Sequence, residues 1–159
     1  MKIDIICVGK LKEKYLKDAV GEYLKRLSSY SKVQIHEVPD EKTKEGGSES
    51  ENDRVLMTEA ERILKYIDED ACVITLEINA KQQSSEEFAQ SLNDLFISGK
   101  SHIQFVIGGS LGLHQTVTKR GDVHLSFSKF TFPHQLMRVI LLEQIYRAMK
   151  IIKNEPYHK

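Results

Sequence analysis

The sequence predicts an α/β protein, one domain with a mostly parallel open sheet and helices on both faces. Three observations predict it. Short apolar runs alternate with segments whose apolar residues recur at helical spacing, and strand–helix alternation is the mark of a parallel sheet. No linker or internal repeat divides the 159 residues, a length that suits a single domain of roughly 150. Hydrophobic residues make up 40% and charged residues 29%, enough apolar content to build a core and too much for a disordered chain.

The elements follow in order. Residues 3–8 are apolar apart from Asp4 and read as a first strand, closed by Gly9. Tyr15, Leu16, Ala19, Val20, Tyr23, Leu24 and Leu27 place an amphipathic helix over roughly 13–29. Residues 33–38 alternate, with Val33, Ile35 and Val38 inward, and Pro39 ends the run. The polar, glycine-containing stretch 40–52 reads as a mobile loop. Leu56, Ala60, Ile63, Leu64 and Ile67 define a second helix. Residues 72–78 form a buried strand. Ser84 followed by Glu87 is a capping box opening a third helix with Phe88, Leu92, Leu95 and Phe96, which Gly99 stops. Residues 103–107 are the most apolar strand and run directly into Gly108-Gly109. A short helix over 113–120 and a fifth strand with Val123, Leu125 and Phe127 follow. Pro133 suits the first turn of a long last helix that reaches about Ile152.

Composition removes several function classes. Lys+Arg and Asp+Glu are both 23, so no whole-molecule basic field attracts nucleic acid. Local bias remains. Residues 37–61 hold nine acids and three bases, net −6, and residues 129–159 hold six bases and two acids, net +4. The second segment is either an ordinary solvated face or a surface that meets phosphate. Two isolated cysteines, Cys7 and Cys72, offer neither a zinc cluster nor a disulfide framework, and no metal is expected. The start carries no signal-peptide pattern and no apolar run approaches the roughly 18 residues of a membrane span, so the expectation is a cytoplasmic protein without membrane contact.

Four segments carry possible chemistry. Gly108-Gly109-Ser110-Leu111-Gly112 lies where the fourth strand ends, and ligands in open α/β sheets bind beyond the carboxyl ends of strands. Its glycines allow a close backbone approach. A dinucleotide fingerprint fails there, because Ser110 and Leu113 stand where glycine is required. The same residues match the G-x-S-x-G nucleophile elbow with Ser110 as nucleophile, and Asp122 with His124, His134 or His158 completes the chain order of a serine hydrolase. Against this, only about one strand remains after the turn.

Ser126-Phe127-Ser128-Lys129-Phe130-Thr131-Phe132-Pro133-His134 is a second loop at a strand's carboxyl end. It combines small polar groups with aromatics, a composition suited to wrapping an adenine or to plain core packing. The last helix spreads apolar residues around most of its circumference, from Leu136 to Ile152. Such a helix needs cover on more than one side, from a second copy in a homodimer or from inside the monomer. The tail Asn154-Glu155-Pro156-Tyr157-His158-Lys159 is either frayed or a short tool set: an aromatic to stack a base, an imidazole to move a proton and an ammonium for phosphate.

Five stretches stand in a recognisable order: Leu76-Glu77-Ile78-Asn79-Ala80-Lys81, Ile107 to Leu113, Phe132 to Arg138, Glu143 to Ala148, and Asn154-Glu155-Pro156-Tyr157-His158. With them the whole chain resembles the RlmH family, the ribosomal RNA large subunit methyltransferase H group of the SPOUT superfamily. The resemblance implies an α/β trefoil-knot fold, which periodicity does not reveal because true knots are rare. It implies S-adenosylmethionine as cofactor and methylation at N3 of a pseudouridine in 23S ribosomal RNA, with the ribosome as the setting. It also implies a homodimer through the C-terminal helix. By position, the cofactor site would comprise Leu76, Gly108, Phe127, Ser128, Lys129, Phe130, Thr131 and Phe132, and the catalytic residues would be Arg147, Tyr157 and His158.

The roles implied are these. His158 accepts or organises removal of the N3 proton, Arg147 stabilises negative charge on the ring oxygens, and Tyr157 stacks on the nucleotide. The tail orders when RNA binds. Lys159 stands where the family often has arginine, which keeps a charge and loses the planar fork. A non-catalytic RNA-binding module in ribosome assembly is the remaining alternative, distinguished by the absence of cofactor binding.

Overall fold

The computed structural model describes residues Met1–Lys159. The elements are β1 (Lys2–Val8), α1 (Lys14–Leu27), β2 (Lys32–Val38), α2 (Glu49–Leu64), β3 (Cys72–Gln82), α3 (Ser85–Ile97), β4 (His102–Ile107), α4 (Gln115–Arg120), β5 (Val123–Ser126) and α5 (His134–Ile152). The five strands form one sheet in the order β2-β1-β4-β3-β5. Every strand pair is parallel, so the sheet is wholly parallel rather than mostly so.

Connection handedness sorts the helices. β1 to β2 and β3 to β4 step one way across the sheet, while β2 to β3 and β4 to β5 step the other way. Same-handed crossovers then place alternate helices on opposite faces. Accordingly α1 and α3 pack with α5 on the face of Ile3, Ile5, Ile103, Phe105 and Ile107. The face of Ile6, Val8 and Val106 is covered by Ala60 and Ile63 of α2 and Val117 of α4.

Several local expectations are corrected. The polar stretch 40–52 is not all loop, because α2 starts at Glu49 with the Ser48 hydroxyl accepting the Glu51 amide. Val38 is inward, but toward the α2 face, opposite to Val33 and Ile35. β3 continues to Gln82, and Leu125 of β5 pairs both with Leu76 and with Lys81, so residues 77–80 bulge at the sheet edge. The fifth strand stops at Ser126, leaving Phe127 in the following loop, and the short helix starts at Gln115. The capping box at Ser84 and Glu87 forms as expected, with both reciprocal bonds present.

α5 lies between α1 and α3, and Leu141, Leu142, Ile145, Ala148 and Met149 are buried. The chain itself thus covers much of the helix, the second of the two arrangements that its apolar circumference allowed. Leu136 stays exposed.

Two buried polar clusters interrupt the apolar faces. Asp4 on β1 is held by His102 Nε2 (2.7 Å) and the Gln104 amide (3.1 Å), with His36 Nε2 at 3.3 Å. Although burial opposes ionisation, these contacts together keep the Asp4 carboxyl below its ordinary range. Arg138 on α5 is fully buried at the carboxyl end of β1. It donates to Glu37 Oε2 of β2 (2.5 Å) and to the Gly9 carbonyl (2.7 Å).

Candidate active site

At the carboxyl rim of the sheet three segments enclose a cleft of about 710 Å³. Leu76 to Asn79 come from the middle of β3, where its pairing with β4 has ended and that with β5 is interrupted, Ile107 to Leu113 from the end of β4, and Ser126 to His134 lead from β5 into α5. Each lies where a strand's ladder ends or is interrupted on the carboxyl side, so backbone groups are free to face a ligand instead of a neighbour strand. The volume lies within the range of small-molecule sites.

The Gly108–Gly112 turn needs its glycines for space. A Cβ on Gly108 would lie 2.4 Å from the Gly112 carbonyl oxygen and 2.6 Å from its carbon. Gly112 itself has φ of +85°, and its amide donates to the Gly109 carbonyl (3.1 Å). Gly109 is pressed between Val8 and Glu59 of α2, whose carboxylate oxygen would sit 3.4 Å from an added Cβ. Glu59 is buried and accepts the Glu41 amide (3.0 Å), joining the loop before α2 to the turn.

Burial raises the Glu59 carboxyl above its ordinary value of 4.5, against the lowering effect of the Glu41 bond. An acid whose folded-state value is raised stabilises the fold below its unfolded value and loses that contribution as pH rises through the folded one. Melting temperatures of the wild type relative to Glu59→Gln should therefore fall as pH rises above the ordinary value of 4.5 and level off once Glu59 is ionised in the folded protein. A difference independent of pH would contradict the assignment.

Of the residues assigned to a cofactor on sequence grounds, Leu76, Gly108, Phe127, Ser128, Phe130, Thr131 and Phe132 line the cleft. Lys129 is in the same loop but exposed and outside the lining, which keeps its ammonium in water. Phe130 is 80% exposed at the rim. Ser110 also lines the cleft, yet its hydroxyl bonds to no histidine. His124 is engaged by Glu77 and Thr75, His158 by Glu86, and Asp122 accepts the Val73 amide and pairs with Arg120. The serine-hydrolase relay is therefore not assembled.

Arg147, Tyr157 and His158 form a second cluster, away from the cleft of their own chain. Met137 lines the cleft, and Arg147 follows ten positions later, about 15 Å along the helix at 1.5 Å per residue. The tail is not frayed. Glu143 accepts Arg147 Nη2 (2.8 Å) and the Tyr157 hydroxyl (3.0 Å). The Arg147 guanidinium lies over the Tyr157 ring at 4.7 Å, and the Tyr146 ring meets that ring edge-on at 5.0 Å. Glu155 links Tyr30 and Lys150. The ordering needs no RNA, because α5 already presents the partners.

Two chemical consequences follow. Burial, then the Glu143 carboxylate, push the Tyr157 hydroxyl up to about 12, so Tyr157 stays protonated near neutrality. His158 Nδ1 faces Arg147 Nη1 (3.2 Å) and its Nε2 faces Glu86 Oε1 (2.8 Å). A guanidinium only donates, so Nδ1 is the acceptor and Nε2 carries the proton toward Glu86. Neither ring nitrogen is free in the isolated chain.

Comparison with known proteins agrees with this architecture. Residues 1–158 match the family model described as "Predicted SPOUT methyltransferase". The chain belongs to the SPOUT methyltransferase family. It is 60% identical over 159 residues, all of both chains, to the ribosomal RNA large subunit methyltransferase H of Bifidobacterium adolescentis. The Bacillus cytotoxicus protein of the same name is likewise 60% identical over the whole of both chains. A solved structure of a "probable methylase family protein" from Haemophilus influenzae superposes with a TM-score of 0.56 at 15% identity. That superposition covers 99% of this chain and 70% of the other, and it speaks to the fold alone. Within this SPOUT domain the sequence reading missed Glu77, Glu86 and Glu143, the carboxylates that hold the candidate site together. Glu77 and Glu143 lie inside the stretches 76–81 and 143–148 that carry the family resemblance, which is the signal that points to them.

Proposed function

We propose that this protein methylates N3 of a pseudouridine in large-subunit ribosomal RNA with S-adenosylmethionine, acting as a homodimer in the cytoplasm where ribosomes are made. Full-length identity of 60% to relatives bearing the ribosomal RNA large subunit methyltransferase H name carries the reading.

The cleft fits the cofactor. It joins apolar walls, including Leu76, Ile107, Leu113 and Met137, to backbone groups of the two loops. Those offer faces for an adenine and bonds for its edge. When bound, S-adenosylmethionine supplies an activated methyl group. Leu76, the Gly108 turn and Phe127–Phe132 bind and orient it and exclude water. The trefoil knot, with the segment into α5 threaded past the neighbouring loops, belongs to the same proposal.

The tail cluster lies too far along α5 to serve its own cleft, so a second copy packed through α5 delivers Arg147, Tyr157 and His158. Arg147 then turns from His158 toward the developing charge on the ring oxygens. That movement frees Nδ1 of His158 to accept the N3 proton, while Glu86 keeps Nε2 protonated. Tyr157, held by Glu143, stacks on the nucleotide through the ring face that Arg147 does not cover.

Transfer of tritiated methyl to ribosomes that lack the modification tests the reaction, and no incorporation rejects it. His158→Ala should leave S-adenosylmethionine affinity unchanged and lower turnover by about 10²–10⁴, the usual contribution of a general base. Unchanged turnover removes His158 from the chemistry. Light scattering that shows a monomer at micromolar concentration refutes the two-copy arrangement.

A further inference from the structure

The cleft is nearly without charge. Among its 20 lining residues Glu77 is the one carboxylate, and none is lysine or arginine. Glu77 sits where β3 breaks its pairing with β5, just after Leu76. Its position is built. Thr75, fully buried two residues earlier on the same face, donates its hydroxyl to Glu77 Oε2 (2.6 Å). His124 on β5 places Nδ1 2.5 Å from the same oxygen. Gly121 leaves room for Thr75, since a Cβ added there would meet its side chain at 3.0 Å. Both donors go to Oε2, and Oε1 makes no hydrogen bond within the protein.

We propose that Glu77, held by Thr75 and His124, is the anionic group that faces the positive sulfur of the methyl donor. The inference rests on the S-adenosylmethionine reading and adds a residue to it. S-adenosylmethionine carries one positive charge more than S-adenosylhomocysteine, which lacks the methyl group and holds a neutral thioether. A lone carboxylate in an otherwise uncharged wall discriminates between the two by charge. A carboxylate that served only to accept the bonds of Thr75 and His124 would not.

Calorimetric titration of the full-length protein with both compounds separates these cases. Glu77→Gln should weaken S-adenosylmethionine by roughly tenfold and S-adenosylhomocysteine by less than about threefold, the difference expected from losing one charge–charge contact in a partly solvated site. Glu77→Asp keeps the charge and should hold the ratio of the two affinities within about threefold of the wild type, which provides a reading if the glutamine variant does not fold. Equal weakening of both ligands, no weakening, or loss of the ratio in the aspartate variant overturns the assignment. Wild-type protein that binds neither compound rejects the proposed function itself, a result distinct from failure at Glu77 alone.

Discussion

Gly108→Ala should eliminate measurable S-adenosylmethionine binding and lower stability by about 1–3 kcal/mol, the usual cost of forced overpacking. The added Cβ meets Gly112 backbone at 2.4 and 2.6 Å, not a side chain that can rotate away. Gly112 is tied to Gly109 by its amide, so relief requires opening the turn. That turn is one wall of the cleft, and the displacement falls on the ligand site. Gly21→Ala is the internal control. Gly21 lies inside α1 with nothing within 4 Å of an added Cβ, so alanine there should raise stability by roughly 0.5–1 kcal/mol. Denaturant titration and calorimetry check both. Near-normal binding by Gly108→Ala would show that the turn tolerates rearrangement.

Glu37→Ala should cost about 3–5 kcal/mol, toward the lower end because Glu37 is 36% exposed while Arg138 is fully buried. The loss is chiefly that of leaving a buried guanidinium without its counter-charge. Arg138 Nε already lacks a partner, so the site has no spare acceptor to offer. The Leu11 amide also loses the carboxylate it donates to (2.8 Å), which loosens the chain after β1. Removing both charges in Glu37→Ala/Arg138→Met should be less damaging than Glu37→Ala alone, because no buried charge remains. Unfolding curves of the two variants decide it. A double variant worse than the single one would mean that the carbonyl contacts to Gly9 and Val8, rather than the ion pair, dominate.

Legibility of the fold followed chain locality. The alternation of strands and helices, the Ser84–Glu87 cap and the glycine turn after β4 are written in residues a few positions apart. The start of α2 is equally local but carries a weaker signal. Ser48 and Glu51 repeat the spacing of Ser84 and Glu87, but the first turn of α2 is polar and exposed, so no apolar periodicity announced it.

The site was legible as segments and opaque as contacts. The loops that wall the cleft are recognisable in the sequence because strand ends in a parallel sheet converge on one rim. Their charge partners are not. His158 meets Glu86 across 72 positions, Arg138 meets Glu37 across 101, and Asp4 meets His102 across 98.

Periodicity, capping and turn chemistry depend on backbone sterics within one or two turns of chain, so they can be read from residue order. Which strand lies beside which, which face Val38 takes, and which carboxylate neutralises which cation depend on layers packed from distant segments. Those pairings exist only once burial has removed water as the competing partner.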